Sequence, residues 1–153
     1  MTIRWGILGA GGILQKFGEA FRLTSNSSRE ARGVELAAIA SRDLGRAQVA
    51  AKQWDIPRAH GSYDALLADA GVDIVLNALH NGLHCEWTVR ALEAGKHVLC
   101  EKPLACSSAE VERMFAAARA NGRWLKASTM NSKTSVRLNI LVTAAQPIFW
   151  STY

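Results

Sequence analysis

The sequence predicts an α/β protein built on a doubly wound parallel sheet, and three observations carry that prediction. Four short runs, Thr2 to Leu8, Val34 to Ala40, Asp73 to Leu79 and His97 to Cys100, are apolar over most of their length. A strand covered by helices on both faces has no wet side, so it loses the alternation of a half-buried strand. Helix-length segments separate these runs, and parallel pairing requires such alternation because each crossover must return the chain to the same end of the sheet. Finally, the first run passes through Gly9-Ala10-Gly11-Gly12 directly into a helix. No internal repeat is evident.

The elements follow from local chemistry. Ile13 to Leu23 reads as a helix with Ile13, Phe17 and Phe21 on one face, and Asn26-Ser27-Ser28 as a polar break. Asp43 is placed to cap a helix running to Trp54, with Pro57 beyond its end. Tyr63 to Ala68 is a short helix, and Leu83 to Ala94 a longer one that Gly95 stops. Glu101-Lys102-Pro103 closes the strand ending at Cys100. Ser107 and Glu110 form a capping box for a helix through Ala120, ended by Asn121-Gly122.

A chain of 153 residues suits one domain, burying about 70% of its unfolded surface, and two full domains would be cramped. It has no apolar stretch of membrane-spanning length and no leader with a cleavage site, so the expectation is a cytoplasmic protein without a membrane partner. Cys85, Cys100 and Cys106 are an odd number, which in that setting reads as reduced thiols packed as small apolar side chains. The formal net charge is +5, yet residues 126–153 hold Lys126, Lys133 and Arg137 and no acid, which leaves 15 basic against 13 acidic groups in residues 1–125. There the basic residues are scattered among acids instead of gathered with aromatics, which argues against a nucleic-acid partner.

Ligands of doubly wound sheets sit outside the carboxyl ends of the strands, which directs attention to Gly9–Gly12, Ser41–Asp43, His80–His84 and Glu101–Pro103. A glycine turn leading into a helix is how a protein holds a dinucleotide's phosphates. Gly9, Gly11 and Gly12 let the backbone approach the pyrophosphate, and the helix opening at Ile13 points free N–H groups and its positive dipole end at the anion. The third position of the Gly9-x-Gly11-x-x pattern is Leu14, not Gly or Ala, so the turn alone equally suits an ordinary strand-to-helix connection.

The end of the second strand bears on which dinucleotide. An Asp or Glu there accepts the ribose hydroxyls of NAD and repels a 2′-phosphate; this sequence instead reads Ala40-Ser41-Arg42. Ser41 can donate to a phosphate and Arg42 can meet it with a planar fork of donors, which favours NADP over NAD. Arg42 lying over the adenine, or pointing into solvent, is the competing reading. Asp43 is more natural as a helix cap, and Arg46, one turn on, is either a second phosphate ligand or surface charge.

These residues together resemble the amino-terminal domain of the Gfo/Idh/MocA oxidoreductases. The resemblance rests on Gly9-Ala10-Gly11-Gly12, Ala40-Ser41-Arg42-Asp43, Asn81-x-x-His84 and above all Ala94-Gly95-Lys96-His97-Val98-Leu99-Cys100-Glu101-Lys102-Pro103-Leu104. It spans roughly residues 3–125 and is nearest the NADP-linked branch of dihydrodiol and xylose dehydrogenases and glucose-fructose oxidoreductase. It implies that Lys102 lies near the nicotinamide and the substrate hydroxyl that exchanges hydride, where a cation stabilises developing negative charge and helps relay the proton. It also implies that Glu101 and Pro103 shape the turn and the nicotinamide contact, that Asn81 sits beside the cofactor, and that His84 starts the next helix. His80 stands where the family often has Pro.

His80, His84, Cys85, His97 and Cys100 lack the spacing of a metal site, and Trp54 and Trp87 fall at helical positions suited to packing. The resemblance implies a substrate domain absent from this sequence, whose members bind a sugar or diol. Residues 126–153 include eight Ser or Thr and keep no helix or strand period, although Val136–Val142 has strand character and Ile148, Phe149 and Trp150 are candidate contact residues. That segment reads as out-of-frame or non-homologous sequence, or as the diverged tail of a short variant. Two functions follow: the NADP(H)-binding domain of an oxidoreductase, inactive alone, or a stand-alone NADP(H)-sensing module. The oligomeric state is not legible.

Overall fold

The computed structural model describes residues 2–27 and 33–128, and six parallel strands lie in the order β3-β2-β1-β4-β5-β6. In chain order the elements are β1 (Ile3–Leu8), α1 (Ile13–Ser27), β2 (Val34–Ala40), α2 (Leu44–Trp54), β3 (Arg58–His60), α3 (Tyr63–Leu67), β4 (Ile74–Asn77), α4 (Asn81–Glu93), β5 (His97–Cys100), α5 (Ser108–Ala120) and β6 (Leu125–Ala127). The chain winds outward from β1 to β3, returns to β4 beside β1, and winds outward again to β6. Between β1 and β4 the direction of winding reverses, the point at which the loops of such a sheet part to make a crevice.

Alternate residues of each strand feed two cores. Trp5 and Ile7 of β1 join Leu76 and Leu99 under Phe17 and Phe21 of α1 and Trp54 of α2. Leu8, Val75 and Val98 face the other way, against Leu66, Trp87, Leu92 and Met114. A Cβ on Gly18 would lie 2.4 Å from the Trp54 ring, so only a bare glycine lets α2 seat its tryptophan on α1. The Trp5 indole N–H has no hydrogen-bond partner among the described residues.

Both predicted N-cap side chains engage their helices, while the reciprocal half of the capping box is displaced by one residue. Asp43 accepts the Arg46 amide at 2.9 Å and Ser107 the Glu110 amide at 3.2 Å. The Glu110 carboxylate reaches the Cys106 amide at 2.8 Å, one residue upstream of a standard capping box. Gly95 and Gly122 take the left-handed conformation at φ 77° and 58° that lets them stop their helices.

The boundaries differ in instructive ways. Helix α1 continues through Asn26 to Ser27, since polar residues are tolerated in a last turn. β4 is shorter than Asp73–Leu79: Asp73 gives its carboxylate to Arg4, and α4 starts early, at Asn81. Strands β3 and β6 were not predicted, being three residues each with a charged member, and they pair because β2 and β5 offer free edges. The sheet therefore runs past the boundary read at residue 125, and Lys126 and Ala127, assigned to the tail, belong to it. Val136–Val142, Ile148, Phe149 and Trp150 lie outside the described residues. All three cysteines are free, but Cys106 is exposed and not packed. Burial pushes the Cys100 thiol up to about 12 and raises that of Cys85.

Candidate functional site

The carboxyl ends of β1, β2, β4 and β5 place their loops along one edge. Gly9 leaves β1 with its amide on the Ala40 carbonyl at 2.9 Å, and the Ala78 amide reaches back to Leu8 at 3.1 Å. Gly9 has φ +101°, and a Cβ there would press on the Ala78 carbonyl at 3.1 Å, so both conformation and space demand glycine. A Cβ on Gly11 or Gly12, by contrast, would meet nothing within 4 Å. The first helical bonds run from Leu14 to Gly11 and from Gln15 to Gly12, which leaves the Gly12 and Ile13 amides ahead of the ladder, as at any helix start.

Beside this turn is an open cleft of about 500 Å³, with Ala10, Gly11 and Gly12 on one wall and Asp43, Arg46 and Trp54 on the other. Ser41 is 9% exposed, and its hydroxyl accepts the Asp43 amide at 3.3 Å. Arg42 and Arg46 are exposed, and among the described residues neither guanidinium has a carboxylate within ion-pair distance. Asp43 is committed to the α2 cap. The second-strand end thus presents two cations, a hydroxyl and an acid that caps α2 through one oxygen, beside an open glycine turn, which fits a phosphate-bearing nucleotide.

Across the switch point the loops after β4 and β5 are joined from beneath. His84 is 1% exposed, with Nδ1 2.8 Å from the Pro103 carbonyl and Nε2 2.9 Å from that of Leu79. Asn77, fully buried at the end of β4, donates to the His84 carbonyl and the Thr88 hydroxyl at 3.1 Å each and accepts the Leu79 amide. Glu101 is 6% exposed: Oε2 accepts the Lys102 amide at 3.0 Å and Oε1 the Ser128 hydroxyl at 2.9 Å. Lys102, Pro103 and Asn81 are exposed on the same edge.

Gly9, Gly11, Gly12, Ile13, Ser41, Arg42, Arg46, Asn81, Lys102 and Pro103 therefore lie on the loops and helix starts at the carboxyl ends of the strands. His84 and Glu101 stand just below, their polar atoms engaged with the protein. Sequence reasoning missed Asn77, Thr88 and Ser128; the one available signal was an asparagine closing an otherwise apolar run. The other half of the Ala-Gly-Lys-His motif belongs to the opposite edge. Lys96 donates to the Asp69 and Val72 carbonyls at 2.8 Å each, and desolvation lowers its pKa. His97 stacks on Trp124 at 5.1 Å and accepts its amide through Nδ1; burial, with Arg123 nearby, holds its pKa down to about 4. Among the described residues no group of three or more His, Cys, Asp or Glu could hold a metal ion, and no helix is long and apolar enough to cross a membrane.

A doubly wound sheet with an open glycine turn at its switch point and phosphate-type donors at the next strand end defines a dinucleotide-binding domain of the Rossmann type. Residues 3–128 match the family model described as oxidoreductase family, NAD-binding Rossmann fold, and the chain belongs to that family. It is 40% identical over 125 residues to trans-1,2-dihydrobenzene-1,2-diol dehydrogenase of Sus scrofa, covering 82% of this chain and 36% of that enzyme. It is 47% identical over 111 residues to D-xylose 1-dehydrogenase (NADP(+)) 2 of Haloferax volcanii, covering 72% and 32%. A 3-ketoreductase from Actinomadura kijaniata, solved with NADP and TDP-benzene, superposes with a TM-score of 0.73 at 38% identity, over 83% of this chain and 37% of that one. The chain thus spans about a third of the length of these relatives. The likeness bears out the resemblance read in the sequence, both the family and the dihydrodiol and xylose dehydrogenase branch.

Proposed function

We propose that this chain binds NADP(H) in preference to NAD(H) and serves as the cofactor-binding part of an oxidoreductase acting on a sugar, polyol or diol. The carrying observation is the pair of exposed guanidiniums of Arg42 and Arg46, without an ion-pair partner among the described residues, beside Ser41, where the neighbouring acid, Asp43, caps α2 through one oxygen. A carboxylate with no other task would argue for NAD; Asp43 already accepts the Arg46 amide through Oδ1, so a ribose diol would share it with the helix cap. Gly11, Gly12 and Ile13 hold the pyrophosphate on this reading, and Asn81 and Pro103 border the nicotinamide. When bound, the nicotinamide supplies the hydride acceptor or donor.

Lys102 then holds the substrate oxygen by hydrogen bonding and charge and relays its proton, the role its exposed ammonium on the Glu-Lys-Pro turn suits. The dehydrogenases of diols and of D-xylose among the relatives support that substrate class. Because the chain spans about a third of the length of these relatives, we place most of the surface that seats the substrate outside the described residues. Positioning accounts for roughly 7–11 kcal/mol of a barrier in well-oriented reactions, so we expect little turnover from the described domain by itself.

Fluorescence titration with NADPH and NADH, followed by assays with aldoses and diols, tests the reading. Tighter binding of NADPH supports it, and equal or tighter binding of NADH overturns the cofactor assignment. Binding without turnover favours a cofactor-binding part or a sensing module, whereas turnover makes the chain an enzyme in its own right.

A further inference from the structure

The Glu-Lys-Pro turn is held by a residue just past the neighbouring edge strand, β6. Ser128 follows β6, is 1% exposed, and extends the ladder with its amide on the Cys100 carbonyl at 2.7 Å. That bond secures the strand and needs no side chain. The hydroxyl does something separate: it donates to Oε1 of Glu101 at 2.9 Å, while Oε2 accepts the Lys102 amide at 3.0 Å. Each oxygen of a carboxylate only 6% exposed thus has a donor, one from Ser128 and one from the residue whose ammonium lies on the ligand edge.

We infer that Ser128 is a positioning residue for Lys102, acting through the Glu101 carboxylate. A buried carboxylate left with an oxygen lacking a donor turns to find another, because an unsatisfied buried charge is costly. Turning Glu101 in that way breaks its bond to the Lys102 amide and frees the backbone from which the ammonium is aimed. Removing the hydroxyl therefore misplaces Lys102 without unpairing β6. The functional consequence rests on the proposed cofactor reading; the hydrogen-bond relay does not.

The test uses the full chain and the variants S128A and S128T. Amide exchange followed by NMR is expected to be at least tenfold faster at Lys102 in S128A, unchanged at Val98 and Leu99 of β5, and restored in S128T. NADPH affinity is expected to fall severalfold in S128A, while adenosine 2′,5′-bisphosphate, which has no nicotinamide end, binds as before. Unchanged exchange at Lys102, loss of protection spread across β5 and β6, or failure of S128T to rescue would each overturn the inference. Wild-type protein that does not bind NADPH defeats the cofactor reading instead, and the exchange data still decide the relay.

Discussion

The two ends of the sheet treat charge in opposite ways. At the amino-terminal end and along the β3 edge, cations and acids are locked together. Arg4 gives Asp73 three hydrogen bonds, from its amide and two guanidinium nitrogens, at 2.8–2.9 Å. Asp69 collects Arg58 at 2.7 Å, His60 at 3.0 Å and the Gly71 amide at 2.7 Å. At the carboxyl end the acids are occupied by protein amides and a hydroxyl, and Arg42, Arg46 and Lys102 stay exposed. Exposed charges contribute little to stability, so an edge that keeps its cations bare beside an open glycine turn is arranged for a ligand and not for the fold. The family match is to an NAD-binding Rossmann domain, and the ligand crevice of a doubly wound sheet lies outside the carboxyl ends of its strands, which supports the proposal that the second edge receives the cofactor.

The contrast predicts which substitutions damage which property. Asp69→Ala should have the largest effect on stability, about 2–3 kcal/mol by urea denaturation, because it strips three donors of a carboxylate 13% exposed; the cofactor affinity of the folded protein should not change. An unaltered midpoint would show that the paired edge is not what stabilises the sheet.

Acid should attack the same edge. The Asp69 carboxyl is buried, which raises its pKa, but the Arg58, Gly71 and His60 bonds outweigh this and lower it to about 2 from 3.8. A depressed carboxylate contributes stability above its unfolded pKa that is lost as pH falls through the folded one, here between about 4 and 2. His97 adds an earlier step. Its folded pKa is about 4 against 6.5, so the unfolded ring binds a proton first and stability declines as pH drops across that window. Thermal unfolding followed from pH 7 to 4 should show this slope, on the order of 2 kcal/mol, and His97→Gln should flatten it.

The opposite edge should respond the other way. Arg42→Ala is expected to weaken NADPH binding about 10- to 30-fold, or about 1.4–2 kcal/mol, and to leave NADH binding unchanged. Equal losses for the two nucleotides would place Arg42 on the adenine instead of the 2′-phosphate. The smallest effect on the fold belongs to Lys102→Met, within about 0.5 kcal/mol by denaturation, since the ammonium is exposed and has no ion-pair partner among the described residues. A larger loss would mean that Lys102 holds the turn together.

Much of the fold was legible because the central strands are buried on both faces and so are written as apolar runs. The two outer strands were not, since Arg58–His60 and Leu125–Ala127 owe their pairing to the edges of β2 and β5 and carry no pattern of their own. At the site, motif spacing located the loops but not the direction of each side chain. His84 and Glu101 stand in the motif beside exposed residues, yet fold inward onto backbone groups and Ser128. Asn77, Thr88 and Ser128 act through hydrogen bonds made over 7, 11 and 27 residues of chain, which one-dimensional patterns do not display.

The central claim is that the carboxyl-terminal edge, and not the paired amino-terminal one, receives the cofactor. Amide chemical-shift mapping during an NADPH titration tests it most directly. The account predicts shifts at Gly11, Gly12, Ile13, Ser41 to Arg46 and Lys102, with Asp69, Lys96 and His97 unmoved. Shifts centred on Asp69, Lys96 and His97, or none at saturating NADPH, would contradict it.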